Sequence, residues 1–237
     1  MTEQSASRLE IIAVPGLPEV VPGDDLARLI SSAVDLIQDD VLVVTQKVVS
    51  KAEGRLVEID HDDPRGHKAI VEDESVRILR RRGELIISET EQGFVCANAG
   101  VDLSNVEEGY AALLPVDSDR SARRIRDVIH AEQGVWIGVV ISDTFGRPWR
   151  RGVTDVAIGS AGVSPILDLR GSNDALGREL QVTEVALVDE LASAAELVMG
   201  KSSNVAAAIV RGGMSHWFNN GSVRTDLVRD ISDDLFR

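Results

Sequence analysis

Three short polar segments hold residue types that could carry chemistry together. Asn98-Ala99-Gly100-Val101-Asp102-Leu103-Ser104-Asn105 is small and polar and follows an apolar stretch. Its Asp102 offers a carboxylate for a hard cation, while Asn98 and Asn105 offer amides that orient a ligand. In Ile141-Ser142-Asp143-Thr144-Phe145-Gly146-Arg147-Pro148-Trp149-Arg150-Arg151-Gly152, Asp143 and Thr144 stand where an apolar run surfaces, and three arginines follow. Carboxylate and hydroxyl for a magnesium-type ion, beside arginines for phosphate oxygens, is the set that phosphoryl transfer requires. The third segment, Thr45 to Arg55, delivers Lys47 and Lys51 into a glycine-containing loop, where they would neutralise phosphates. Each segment has a plainer reading, in which the aspartates cap turns, the arginines form a solvated face and the lysines are ordinary surface charges. Two carboxylate segments in matching contexts favour the chemical reading.

Other polar clusters say less. Asp168-Leu169-Arg170-Gly171, with Asp174 and Arg178, would grip an acidic substrate, but ion pairs within the chain explain it equally well. Asp189-Glu190 reads as a solvated helix face, and Gly16-Leu17-Pro18-Glu19 as a turn. The standard nucleotide motifs fail. Gly200-Lys201-Ser202 imitates the end of a P-loop, yet the leading glycine position is Ala195 and the residues before it read as a helix. A P-loop instead follows a strand and opens a helix whose N–H groups meet phosphate. No G-x-G-x-x-G follows a strand either, so a Rossmann site has no support. His61, His67, His130 and His216 lie far apart with no paired ligand spacing.

The elements that must position these residues alternate irregularly. Leu9 to Val14 reads as a strand, and a helix is expected from Gly23 through Ile37 with Leu26, Leu29, Ile30, Val34 and Ile37 on one face. Asp39 to Val49 reads as a β-branched strand and His67 to Arg82 as a helix. Glu84 to Ser88, Phe94 to Ala97 and Ala111 to Leu114 suit strands, and Asp119 to Glu132 a basic amphipathic helix stopped by Gly134. Val135 to Ile141 is a nearly unbroken apolar strand of the kind buried on both faces. Val153 to Ile158 and Val163 to Leu169 read as strands, Thr183 to Met199 as an alanine-rich helix, and Val205 to Val210 as a last strand. Strands outnumber regular βαβ units, which favours α+β, mixed sheets with flanking helices, over a doubly wound sheet. With no repeat and no linker, residues 1–237 are expected to form a single catalytic unit of two closely joined lobes.

Composition sets the outer bounds. The 237 residues are 43% hydrophobic and 27% charged, a globular balance, and 25 basic against 39 acidic residues leave a net charge of −14. That field repels nucleic acid and anionic lipid, so a phosphorylated ligand must be met by positive charge concentrated locally. The single cysteine, Cys96, permits no intramolecular disulfide and no cysteine-based zinc site, which fits a reducing, cytoplasmic setting. The polar segment Met1 to Leu9 is unlike a signal peptide, and no stretch reaches the roughly 18 apolar residues of a membrane helix.

Several longer segments, in order, resemble one family, the coenzyme F420-0:L-glutamate ligases, or gamma-glutamyl ligases of coenzyme F420 biosynthesis. They are GLPEVVPGDDLA at 16–27, TQKVVSKAEGR at 45–55, GFVCANAGVDLSN at 93–105, LLPVDSDRSA at 113–122, ISDTFGRPWRRG at 141–152, the stretch 177–201 and VRGG at 210–213. The resemblance implies a GTP-dependent enzyme that joins L-glutamate to the lactyl carboxylate of coenzyme F420-0 and extends a γ-linked tail. It implies magnesium or manganese, help from potassium, an α+β homodimer and a nucleotide fold of the family's own without a P-loop. Position by position, Leu17, Pro18, Glu19, Val20, Gln46, Lys51 and Asn105 match nucleotide contacts, and Asp102, Asp143 and Thr144 match metal ligands. Lys201, Ser202, Ser203 and Asn204 fall where the family's last nucleotide and metal contacts lie, although relatives often carry glycines or a proline there. A nitroreductase-like domain that follows in some relatives has no counterpart in this sequence.

The implied chemistry is physically coherent. A carboxylate does not react with an amine at neutral pH, so GTP would first convert it to an acyl phosphate that the amine of glutamate displaces. Asp143, Lys51 and Arg147 are the expected catalytic groups, with metal ions offsetting the charge of three anionic reactants. A metal-dependent phosphohydrolase and a non-catalytic GTP-binding module are the rival classes, and neither adds glutamate to a deazaflavin.

Overall fold

The computed structural model describes residues 8–60, 62–213 and 215–234; the segment 1–7 and His61 lie outside them. Along the chain run β1 (Glu10–Ala13), α1 (Leu26–Ala33), β2 (Val41–Thr45), α2 (Gln46–Ala52), β3 (Leu56–Glu58) and α3 (His67–Asp73). There follow β4 (Arg77–Arg82), β5 (Leu85–Glu89), β6 (Val95–Ala97), β7 (Tyr110–Ala112), α4 (Ser118–Gln133) and β8 (Gly138–Arg147). The chain continues through β9 (Arg150–Ala161), β10 (Leu167–Asp168), β11 (Glu184–Val185), α5 (Leu187–Met199) and β12 (Ala207–Arg211). The fold is α+β, as the sequence pattern predicts.

The main sheet has five strands in the order β1-β12-β2-β8-β9. Only β2 and β8 pair in parallel, and the other contacts are antiparallel. Strands β1, β2 and β8 therefore point one way, and their C-terminal ends meet the start of β12 at one rim. Val41 to Val44 and Val139 to Ile141 are fully buried, which is why this pair reads as unbroken apolar sequence. Beyond the last β2–β8 pair, Thr45 with Ser142, β8 runs on to Arg147 with β9 as a two-stranded arm. A bulge shifts the register between Ile141 and Ser142, so Ser142 faces Ala157 and Thr144 faces Asp155.

Helix α5 closes the outer edge of β9. Asp189 accepts from the Ala157 N–H at 2.8 Å, and the Ser193 hydroxyl donates to the Asp155 carbonyl at 2.7 Å. Asp189 is thus part-buried structure and not the solvated face expected for it. On α4, buried Asp119 accepts from the N–H groups of Ser160, Val223 and Arg224.

Several expected elements are shorter or different: the run Val163 to Leu169 is a strand only at Leu167–Asp168, and the expected helix from Thr183 opens with β11 and is helical from Leu187. The first helix stops at Ala33 because Gln133, from α4, donates to the Ser31 and Val34 carbonyls and accepts from the Leu36 N–H. The run Asp39 to Val49 is a strand only to Thr45; Gln46 then opens α2, with its amide donating to Ser50 Oγ at 2.7 Å and to the Leu113 carbonyl. The stretch His67 to Arg82 splits into α3 and β4, where the Ser75 hydroxyl turns back to the Val71 carbonyl. Among the described residues no helix is long and apolar enough to cross a membrane.

Gly159 lets α4 approach the sheet: a Cβ there would stand 2.4 Å from the Ser118 carbonyl carbon. Gly159→Ala is therefore expected to cost about 1–3 kcal/mol, as overpacked cores do, and to lower the melting temperature by about 2–10 °C. Scanning calorimetry checks this, and an unchanged melting temperature would show that α4 is not clamped at this point.

Candidate active site

The rim of the sheet opens into a cleft of about 880 Å³, within the range of small-molecule and cofactor sites. Its walls come from the loop after β1, from α2, from the segment before β7, from the β8–β9 arm and from the turn between α5 and β12. Because α2 begins directly after β2, Lys47 and Lys51 are one turn apart and both reach the cleft. Asp102 is presented by a left-handed turn, with φ of 52°, 51° and 72° at Asn98, Ala99 and Gly100. Left-handed backbone costs about 1–2 kcal/mol for each residue bearing a Cβ. The turn is held by the Asn98 side chain, which accepts from the Ile86 N–H, and by Leu114, which leaves no space for a Cβ at Gly100. Asp102 then pairs its backbone with Ala112 through two hydrogen bonds.

Three aspartates meet in this cleft with lysines between them. Lys47 Nζ stands 2.9 Å from Asp102 Oδ2 and donates to Ser104 Oγ at 2.7 Å. Burial alone would raise the Asp102 pKa, but Lys47 and the Ser104 N–H bring it below the ordinary value. Asp143 accepts from the Thr144 N–H at 2.8 Å. Burial pushes its carboxyl up to about 7, the Thr144 N–H opposes this, and Asp102 and Asp155 add to it. Asp155, 2% exposed, accepts from Thr144 Oγ1 at 2.6 Å and from Ser142 Oγ at 3.2 Å. Lys201 reaches Asp155 Oδ1 at 3.0 Å and Glu196 Oε1 at 3.1 Å, and Lys51 pairs with exposed Glu19.

The structure brings together most of the predicted site. Leu17, Pro18, Glu19, Val20, Gln46, Lys51, Asp102, Asn105, Asp143, Thr144, Lys201 and Asn204 all line the cleft. Gln46 does so with its amide donating into the protein. Arg147, Ser202 and Ser203 are not in its lining. Arg147 sits exposed on the arm with Arg150 and Arg151, and Ser203 donates to the Met199 carbonyl at the end of α5. Arg170 is paired with Asp168 and Glu184, the plainer of its two readings. Sequence reasoning missed Asp155, Ser142 and Glu196. Asp155 comes opposite Thr144 only through the register shift between Gly146 and Arg147 as β8 folds onto β9, which no local signal in the sequence announces. A second cavity of about 110 Å³, between α1, α2 and α4, holds none of the predicted residues.

Among the described residues no three His, Cys, Asp or Glu side chains are grouped so as to hold a metal ion by themselves. The donor set nevertheless fits magnesium or manganese, which take hard oxygens. Such ions are usually bound through one or two carboxylates, water and substrate phosphates.

Fold and site together define an α+β protein with a lysine-lined acidic cleft at a strand-end rim and no P-loop. The chain belongs to the F420-0:gamma-glutamyl ligase family, whose model matches residues 16–212. It is 43% identical to a Methanothermobacter thermautotrophicus protein named coenzyme F420:L-glutamate ligase, over 97% of this chain and 99% of the relative. It is 44% identical to the Methanopyrus kandleri protein of that name, over 97% and 98%. A Halorubrum lacusprofundi protein of the same name is 40% identical over 97% and 96%.

The raised Asp143 pKa has a consequence for stability. Between the ordinary value of 3.8 and about 7 the folded protein binds this proton more tightly than the unfolded chain. Stability from this group therefore falls as pH rises through that window and stays low above it. Discounted for the open cleft, the penalty is about 1–2 kcal/mol. In ion-free buffer at pH 8, Asp143→Asn is expected to melt about 2–8 °C above the parent, with no difference near pH 4. Equal melting at both pH values would place the group in an unstrained environment.

Proposed function

We propose that this protein is a ligase of coenzyme F420 biosynthesis that joins L-glutamate to coenzyme F420-0 at the expense of GTP. The observation that carries the reading is the match to the family over residues 16–212 in a chain whose cleft gathers the matching residues. In this reading Leu17, Pro18, Glu19, Val20 and Asn105 hold the nucleotide. Lys51 and Lys201 leave their carboxylate partners for phosphate oxygens. Asp102, Asp143 and Thr144 would hold magnesium or manganese. Bound there, the ion neutralises charge on the transferring phosphoryl group.

The γ-phosphoryl group passes to the lactyl carboxylate of coenzyme F420-0, giving an acyl phosphate, and the amine of glutamate displaces phosphate to form the amide. The cleft's work is alignment of three anionic reactants and offset of their charge, for which its lysines are placed. Further turnovers would extend a γ-linked tail. Potassium, a homodimer and a cytoplasmic setting belong to the same proposal by family membership.

The test is mass spectrometry of coenzyme F420-0 incubated with the protein, GTP, L-glutamate and manganese or magnesium, with glutamate omitted in the control. Product heavier by glutamyl units with matching GDP release is expected. GDP without heavier product would overturn the reading in favour of a phosphohydrolase. Asp143→Asn is expected to lower turnover by at least about 100-fold with the fold retained, and normal turnover would remove Asp143 from the site.

A further inference from the structure

The turn after α5 places a cation among hard oxygens. Lys201 Nζ donates to Thr144 Oγ1, stands 3.0 Å from Asp155 Oδ1 and 3.1 Å from Glu196 Oε1, so its three N–H groups meet three oxygens. Thr144 gives its own hydroxyl proton to Asp155, which leaves the lone pairs of Oγ1 facing the ammonium. Two carboxylates and a hydroxyl oxygen are also the donors that a divalent hard cation takes. The surroundings differ in depth: the Asp155 side chain is 2% exposed and that of Lys201 58%. The lysine therefore enters from the solvent side, on a turn without helix or strand between Gly200 and β12.

We propose that Lys201 is a tethered competitor for a divalent ion on the Thr144 side of the cleft, filling the Thr144–Asp155–Glu196 oxygens in the ion-free protein and swinging out when an ion binds at Thr144. The inference rests on the reading that this cleft takes a divalent ion. A single-charged ammonium and a double-charged ion cannot share these oxygens, because like charges a few ångströms apart repel strongly in a partly buried site. Lys201 already lines the cleft, so the displaced ammonium remains within it, available to an anionic ligand. A merely structural ion pair makes the opposite prediction: its loss would leave ion affinity unchanged or lower it by loosening Asp155.

Manganese binding to the full-length, nucleotide-free protein, followed by electron paramagnetic resonance or calorimetry, separates these outcomes. Lys201→Met is expected to bind manganese about tenfold more tightly than the parent, the scale of a lost charge-assisted contact. Lys201→Arg, which keeps the charge, should stay within about twofold of the parent. The ion concentration that half-saturates the rise in melting temperature should fall in step with the affinity of Lys201→Met. Should Lys201→Met prove too unstable to titrate, Lys201→Gln carries the same expectation. Affinity in these folded variants equal to or weaker than the parent overturns the proposal. Glutamyl-ladder formation by the parent protein is an independent readout. A parent that forms no ladder while Lys201→Met binds manganese tenfold more tightly overturns the ligase reading alone, and a parent that forms the ladder while the variants' affinity is unchanged overturns the competitor alone.

Discussion

The cleft depends on how buried carboxyl groups find polar partners. Asp155 is nearly inaccessible, and a carboxyl group that is buried needs hydroxyls, amides or cations around it. Here Ser142, Thr144 and Lys201 supply them. Asp102 has the same support from Lys47 and Ser104. Asp143 lacks a comparable partner, so burial and its two acidic neighbours push its carboxyl up to about 7. A chain of net charge −14 thus holds positive charge where it is needed by interleaving lysines with carboxylates.

That interleaving requires backbone in several unusual conformations. The parallel β2–β8 pair brings Thr45 and Ser142 level, so α2 starts beside the point where β8 leaves the sheet. The bulge at Ser142 then sets Thr144 across from Asp155. Phe145, on the arm, packs edge-to-face on Phe94 with ring centroids 6.2 Å apart, tying the arm to the segment that leads into the left-handed turn. The turn at Asn98 to Gly100 is costly for residues bearing a Cβ, and tight packing around Ala99 with Val71 and Ile86 maintains it. Strain of this kind delivers Asp102 to the same cleft as Asp143.

Much of this was legible in the sequence, and the exceptions share a cause. The apolar strands β2, β8 and β12, helix α4 and the carboxylates Asp102 and Asp143 all announce themselves through local pattern. The end of α1 does not, because it is imposed by Gln133 about 100 positions away in the chain. Nor does the start of α2, where valines suggest a strand and a buried Gln46–Ser50–Leu113 network decides for helix. The four-residue spacing of Lys47 and Lys51 carried that information, since it puts both on one helical face. Asp155 escaped because its role arises from cross-strand pairing after a bulge, and register is not written in the residues themselves. Arg147 attracted notice by charge alone, and the arm carries it away from the cleft lining.

On the proposed reading, a site built this way would meet a phosphorylated ligand differently from a P-loop. There, fixed backbone N–H groups at a helix N-terminus receive the phosphates. Here α2 opens with Gln46, whose amide is committed to Ser50 and Leu113, and positive charge comes from long side chains that already have carboxylate partners. Lys51 holds Glu19, Lys47 holds Asp102 and Lys201 holds Asp155. A polyanion arriving alone would draw the lysines away and strand the carboxylates; a divalent cation arriving alone would strand the lysines. Only the two together leave every charge matched, with lysines on the anion and carboxylates on the cation. On that reading, the pairing of lysines with carboxylates in the cleft is itself a reason for anion and cation to bind together.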